Sequence, residues 1–595
     1  MKSQTAPPSI RPHMSFPASH TSSAERSTLD NALTGLTIAA CVCMLLYKAA
    51  LITRLNINWD EFFYLSFVHT LARGEFTLVL QGAFTHLFGW LPAVAENEAD
   101  QVVAARLVMV ALLALTAWLI WKLGRHWLRG FSAAAPVLVY LSLAPVTVHG
   151  GSFRADSMLA PLLMGALVAI VGGAASLRRQ VLAGALLGAA VALTIKVALF
   201  SPLFATFLCF VLREQVARPG ERIQWRPMLM ALTLVAIVTG ITAAVLIGAH
   251  AMSLADIPPA IPSAVATESV SGFALRTATS TLLETTWFPR WHVLELYVRW
   301  QPVLWLLVAI GFIVAVATRR YSAASLALAL LPIAFYRNSF PYFYVVMMAP
   351  PSILVGFATQ STLGYLAQRN MRLSFTAFAL VLWMGLVYQP LAHMRQLWTD
   401  RQSIQRDIIA GVHQIFPEPV NYIDRCGMIG SYRKVNFFMS TWGMASYRAA
   451  ATPVMASIAA QAQPAFLLVN SPALLTGRSN LHGLLEPDRD FLQRTYSRYW
   501  GPIKIAGGSG RLSATGDTRI YVPFAAEYRL KSPVPVLVDG ERHEPDDVIA
   551  VSHSVAIRPI VGSEPQESIV VKLVLATAKP PPRLVLPPQE IFTGL

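Results

Sequence analysis

About eleven runs of roughly twenty apolar residues, set apart by short polar connectors, constrain this chain more than any other feature. A run of that length crosses a bilayer as one helix, and lipid offers nothing to bond an exposed N–H or C=O, so each crossing must be helical. The runs fall near residues 31–52, 102–121, 131–148, 157–175, 227–247, 301–318, 323–335, 342–357 and 373–389. A stretch at 181–212 is too long for one span and is interrupted by Lys196 and Pro202, so it reads as two short spans meeting at a polar break. With 55% hydrophobic and 13% charged residues, the chain is expected to be a polytopic α-helical membrane protein.

The net charge of +15 could suggest nucleic acid, but the bases lie scattered between apolar runs and form no long patch with interleaved aromatics. Topology accounts for them, since Lys and Arg concentrate on the cytoplasmic side. If the N-terminus is cytoplasmic, the clusters Lys122/Arg125/Arg129, Arg178/Arg179, Arg213 to Arg226, Arg319/Arg320 and Arg369/Arg372 all fall inside. An odd number of crossings then puts the C-terminal region outside, and the protein is expected in a bacterial inner (plasma) membrane. Residues 1–30 read as a disordered cytoplasmic tail rich in Ser, Pro and Thr, and the first run has no small-residue cleavage site after it. Of the four cysteines only Cys426 lies in a polar region, and no disulfide or zinc spacing is present.

That topology gathers a group of polar residues on the outer face. The first loop, 53–100, carries Trp59-Asp60-Glu61-Phe62-Phe63-Tyr64 and His86; the second carries Arg154 and Asp156; Lys196 stands at the break, and Arg337 with Asn338 in a later turn. An acidic pair at the rim of a membrane bundle marks a functional site by default. A positioned carboxylate can take a proton from a hydroxyl or amine, while Arg and Lys stabilise a phosphate that gains charge as it leaves. Each residue also has an ordinary use. Asp60 could cap the helix expected at 61–71, and Asp156 could sit at the N-terminus of the next span. Lys196, Arg154 and Arg337 could snorkel, and His86 could be an interfacial histidine. Asp60 and Asp156 could together hold a divalent cation through oxygen, though no spacing requires it. The aromatic run from Phe335 to Tyr344 reads as an interfacial belt or as the lining of a lipid-tail groove.

Beyond residue 398 the pattern becomes soluble. A helix at 401–415, strands at 420–423 and 465–469, and a helix at 487–500 predict a small α/β domain over 398–512. Short Val- and Ile-rich runs at 534–538, 548–551 and 569–575, with turns such as Asp539-Gly540, predict a β-sandwich-like region over 513–595 with a Pro-rich extended end.

The acid-bearing first loop, the second-loop Arg154-Ala-Asp156 and Phe340-Pro-Tyr-Phe-Tyr344 running into Ala349-Pro350-Pro351 resemble the GT-C membrane glycosyltransferases over about residues 31–400. That superfamily includes the aminoarabinose transferases of lipid A, the protein O-mannosyltransferases and the oligosaccharyltransferase catalytic subunits. The resemblance implies a GT-C-like transmembrane domain over 31–397, transferring a sugar from a polyprenyl-phosphate donor to an extracytoplasmic acceptor with inversion. It implies that Asp60 activates the acceptor, with Glu61 as its companion and Asp156 as the second acid. It implies more loosely that Lys196, Arg154 and Arg337 contact phosphate, and His86 and Tyr344 are expected with them as substrate-binding residues. Membrane lipids are expected partners and nucleic acid is not. One departure stands out: many aminoarabinose transferases carry a Lys-Pro-Pro-like element later in the first loop, where this chain reads Gln81-Gly-Ala-Phe-Thr85-His86. The rival readings are a transporter or flippase for a lipid-linked or anionic solute, and an assembly or sensing component whose outer regions bind glycan.

Overall fold

A computed structural model of the chain describes residues 23–216, 225–255, 286–368, 398–474, 483–512, 517–560, 569–583 and 591–592, with single positions between 377 and 388. The tail expected over 1–30, most of the 251–299 loop, the span at 373–389 and most of the Pro-rich end lie largely outside these residues.

The N-terminal part is a helical body. Its helices are α1 (Ser23–Leu51), α2 (Trp59–Ala72), α3 (Glu98–Gly124), α4 (Gly130–Ser142), α5 (Ala144–His149), α6 (Ala155–Val171), α7 (Leu177–Leu193), α8 (Ser201–Val216) and α9 (Trp225–Ser253). Further helices run over Trp291–Trp300, Pro302–Ala317 and Ser352–Gln368. Among the described residues four helices are long and apolar enough to cross a membrane, or six if each of two bent pairs is one span. Three shorter apolar helices, Gly130–Ser142, Ala155–Val171 and Tyr321–Ala334, accompany them. The expected eleven crossings are therefore matched only in part by helices of spanning length. The break expected near Lys196 falls between α7 and α8, where Thr194 Oγ1 accepts from the Lys196 amide at 3.4 Å and a 3-10 turn covers Ile195–Phe200.

Small residues let these helices approach closely, which is how membrane helices gain packing energy without a hydrophobic drive between them. A Cβ at Gly184 would come within 2.8 Å of Val238 on α9, and one at Gly311 would run into the Leu354 carbonyl on the neighbouring helix.

Local chemistry fixes the start of α2. Asn58 is its N-cap, with Oδ1 accepting from the Asp60 amide at 2.9 Å while Glu61 Oε2 accepts from the Asn58 amide at 3.0 Å. This reciprocal arrangement satisfies two orphan donors. The cap expected of Asp60 is thus supplied by Asn58. The later part of the first loop forms 3-10 turns at Ala83–Phe88 and Leu91–Ala93.

The C-terminal part carries three sheets. In the first, β1 (Asn421–Ile423), β2 (Arg433–Lys434), β3 (Phe466–Leu468), β4 (Tyr496–Trp500) and β5 (Ile503–Ala506) lie in the order β2-β1-β3-β5-β4. Here the helix expected to run to residue 500 stops at Thr495, because Tyr496 to Trp500 pair with β5 as an antiparallel strand. Aromatic residues favour that pleated, half-buried position.

The remaining strands are β6 (Ser509–Leu512), β7 (Thr518–Tyr521), β8 (Ala526–Lys531), β9 (Val536–Val538), β10 (Glu541–His543), β11 (Val548–Val551), β12 (Ser554–Pro559) and β13 (Ile569–Leu575). They form antiparallel sheets ordered β10-β9-β12-β7 and β11-β8-β13-β6. Asp539 and Gly540 take φ of 47° and 96°, the two positive values a tight hairpin between β9 and β10 requires.

The soluble part docks on the first loop. From the helix Ser403–Ile415, Gln405 exchanges hydrogen bonds with the Ile57 amide and carbonyl at 2.9 and 2.8 Å. Just before that helix, Gln402 Nε2 donates to the Ile52 and Leu55 carbonyls at 2.6 and 2.7 Å. Buried Glu98 at the start of α3 accepts from the amide and hydroxyl of Ser431 at 3.1 and 2.6 Å. These bonds set the soluble part over the end of the helical body that carries Asp60.

Candidate active site

A cavity of about 270 Å³ opens where α2, the start of α6, the α7–α8 break and the turn at 338–342 meet. Asp60, Arg154, Lys196 and Tyr342 line it from the helical body, and Phe438 and Trp442 from the soluble part.

Charge alternates along its floor. The Arg154 guanidinium donates through Nη1 to Asp60 Oδ2 and stands 3.6 Å from Asp156 Oδ2. Lys196 Nζ donates to the other Asp156 oxygen at 2.8 Å. The Arg154 and Asp156 side chains are 4% and 2% exposed, whereas that of Asp60 is 22% exposed. Asp60 is therefore the carboxylate a ligand can reach. Burial works against the charge on Arg154, yet Asp60, Tyr342 and Asp156 outweigh it and raise its pKa above the ordinary value. Arg154 also lies over the Tyr342 ring at 3.7 Å, with Lys196 at 5.4 Å, so the ring face helps hold both cations.

The first- and second-loop acids thus come together through one guanidinium. Glu61 does not join them. It points away from the cavity, 1% exposed, and is held by Arg106. Its expected place beside Asp60 in the site is corrected by the helix itself: adjacent residues project about 100° apart, so one acid faces the cavity and the other the core. His86 also lies elsewhere, its Nε2 2.8 Å from His250 Nδ1 and 3.2 Å from Ser253 Oγ. Tyr344 is buried with its ring 5.1 Å from Tyr297 and does not line the cavity. Arg337 stands behind the wall, 3.2 Å from the centroid of the Trp442 ring.

Sequence reasoning passed over Tyr64, His149 and the soluble-part segment at 438–442. Tyr64 had a readable signal, four residues after Asp60 on a helix and so on the same face. Phe438 and Trp442 had none, since nearly four hundred residues separate them from Asp60.

Among the described residues no group of three or more His, Cys, Asp or Glu is placed to hold a metal ion. The Arg154 guanidinium already bridges Asp60 and Asp156, so the donor set does not fit a divalent ion held between them.

Among the solved structures that this chain resembles are an oligosaccharyltransferase, an arabinosyltransferase and ArnT. ArnT from Cupriavidus metallidurans bound to undecaprenyl phosphate is 15% identical, with 73% of this chain and 92% of that one covered at a TM-score of 0.48. The apo oligosaccharyltransferase of Archaeoglobus fulgidus is 11% identical, with 87% and 76% covered at 0.49. The arabinosyltransferase EmbB from Mycobacterium smegmatis is 9% identical, with 96% and 66% covered at 0.38. No family model matches the chain, and no curated protein matches it in sequence. Similarity at this level assigns no residue a role, and the roles below rest on the chain's own geometry.

Proposed function

We propose that this protein is a multi-pass membrane glycosyltransferase that moves a sugar from a polyprenyl-phosphate donor to an acceptor on the outer side of a bacterial inner membrane. The observation that carries this reading is a reachable carboxylate, Asp60, on the wall of the same cavity as two cations, Arg154 and Lys196. In the proposed reaction Asp60 takes the proton from an acceptor hydroxyl or amine as that atom bonds to the anomeric carbon. The bond from that carbon to the donor phosphate oxygen breaks on the opposite face, which inverts the centre. The electron pair stays on the phosphate, whose added charge Lys196 and Arg154 offset. Asp156 acts through them, orienting both cations from behind. A cytoplasmic N-terminus with about eleven crossings puts this cavity outside, where a lipid-linked sugar meets its acceptor.

A carrier for lipid-linked solutes would need charged groups along a transit path. The cavity's charges instead sit at helix ends, in the first turn of α2, before α6 and after α7. The test is mass spectrometry of envelope glycans and glycolipids from cells with and without the protein. Loss of one glycosylated species is expected, and an unchanged profile would remove the proposal.

A further inference from the structure

Tyr64 stands one helical turn beyond Asp60 on α2, and both residues line the cavity. Its ring is packed at 5.2 Å from the centroid of Phe84 and 6.3 Å from those of Phe67 and Phe153. Held on these sides, the ring fixes where its hydroxyl sits. That hydroxyl makes no hydrogen bond to any other described residue. A largely buried tyrosine O–H ordinarily has a partner, so the one missing here belongs to whatever fills the cavity.

The surroundings define that partner. Lys196 and Arg154 line the cavity with Tyr64 and both act on it electrostatically. Burial raises the Tyr64 pKa, and the opposing pull of Lys196 and Arg154, itself partly cancelled by Asp156 and Asp60, does not overcome it, so the phenol stays a neutral donor. Lys196 commits one N–H to Asp156, and its other donors have no hydrogen-bond partner among the described residues. Two donors from separate elements, one charged and one neutral, thus face the same space. An oxyanion is the ligand that satisfies both, through charge-assisted bonds.

We propose that Tyr64 is a substrate-binding residue whose hydroxyl, together with Lys196 Nζ, grips the phosphate of the lipid donor. The inference rests on the glycosyltransferase reading and assigns Tyr64 to the leaving-group side of the reaction. Lys196 supplies charge, and Tyr64 supplies one directed bond from a rigid ring.

The test compares wild type and Tyr64→Phe, in the full-length protein in lipid nanodiscs, for binding of undecaprenyl phosphate and of the uncharged alcohol undecaprenol. Quenching of tryptophan fluorescence reports binding, because Trp59 and Trp442 line the cavity. The Phe variant keeps the ring packing, so its thermal unfolding is expected to match wild type. Its affinity for undecaprenyl phosphate is expected to fall about tenfold, as for loss of one hydrogen bond to a charged group, with undecaprenol binding unchanged. If Tyr64→Phe keeps the full preference for phosphate over alcohol, or loses both lipids equally, the assignment to Tyr64 is overturned. If wild type itself shows no such preference, the donor reading falls and takes this inference with it.

Discussion

Arg106 Nε and Nη2 donate to the two carboxylate oxygens of Glu61 at 2.8 and 2.6 Å, and the Phe153 amide donates to the same group at 2.8 Å. The remaining Arg106 donors go to the Ile52, Leu55 and Asn56 carbonyls. One buried ion pair therefore ties the start of α2 to α3, to the end of α1 and to the residue before Arg154. Asp60 and Arg154 meet because their neighbours Glu61 and Phe153 are fastened to each other.

Glu61→Gln should cost stability before it touches chemistry. Removing one partner of a buried pair leaves the other charge uncompensated, worth about 3–5 kcal/mol. Thermal unfolding in detergent should drop by several degrees, and an unchanged midpoint would show that the pair does not hold the site together.

The same pair sets an acid limit. Burial raises the Glu61 pKa, but Arg106 and the Phe153 and Asn58 amides more than offset it, so the folded value is depressed. An unfolded glutamate titrates near 4.3, so below about that pH the unfolded chain binds the extra proton first. The stabilisation is complete above that value and is lost as pH falls through the depressed folded pKa. Unfolding midpoints of wild type and Glu61→Gln should lie far apart at neutral pH and converge in acid; a constant gap would refute the linkage.

Asp60→Asn should abolish transfer and spare the fold. Its side chain is partly exposed to the cavity and bonded only to Arg154 among the described residues. Loss of a general base lowers turnover by about 100- to 10,000-fold. Turnover of donor and thermal unfolding measured on the same preparation decide the point, and normal transfer by this variant would remove Asp60 from the mechanism.

Trp442→Ala should open the wall that the soluble part supplies. The indole Nε1 donates to Asn338 Oδ1 at 2.6 Å and the ring meets Arg337, while nearby Phe438 stacks on Phe63 with centroids 3.9 Å apart. Losing the indole contacts costs about 1–2 kcal/mol and opens the cavity further to water, which then competes with the acceptor for the sugar. The ratio of free sugar to transferred sugar should rise several-fold; an unchanged ratio would leave Trp442 a purely structural residue.

Much of this was legible in the chain itself. Apolar run length dictated a helical membrane body, and the alternation after residue 530 dictated strands at 548–551 and 569–575. The run of acids after Asn58 pointed to the rim of the cavity, and the Lys196 break fell where the apolar run was interrupted. Other features escaped because their signals are weak or shared. No Gly or Pro interrupts the chain between Pro487 and Gly501, so the helix reads on through Tyr496 to Trp500, and only pairing with β5 makes that segment a strand.

By itself the sequence determined that the chain enters a membrane and that acids and bases sit near the ends of its apolar runs, because hydropathy and charge act locally and are written residue by residue. Only the tertiary structure decided which of those charges meet. It sent Glu61 to Arg106 and Asp60 to Arg154, removed His86 and Tyr344 from the cavity, and brought Trp442 across from the soluble part. A side chain's partner depends on the direction in which its helix projects it and on what distant segment packs there, and neither is encoded in the residue or its neighbours along the chain.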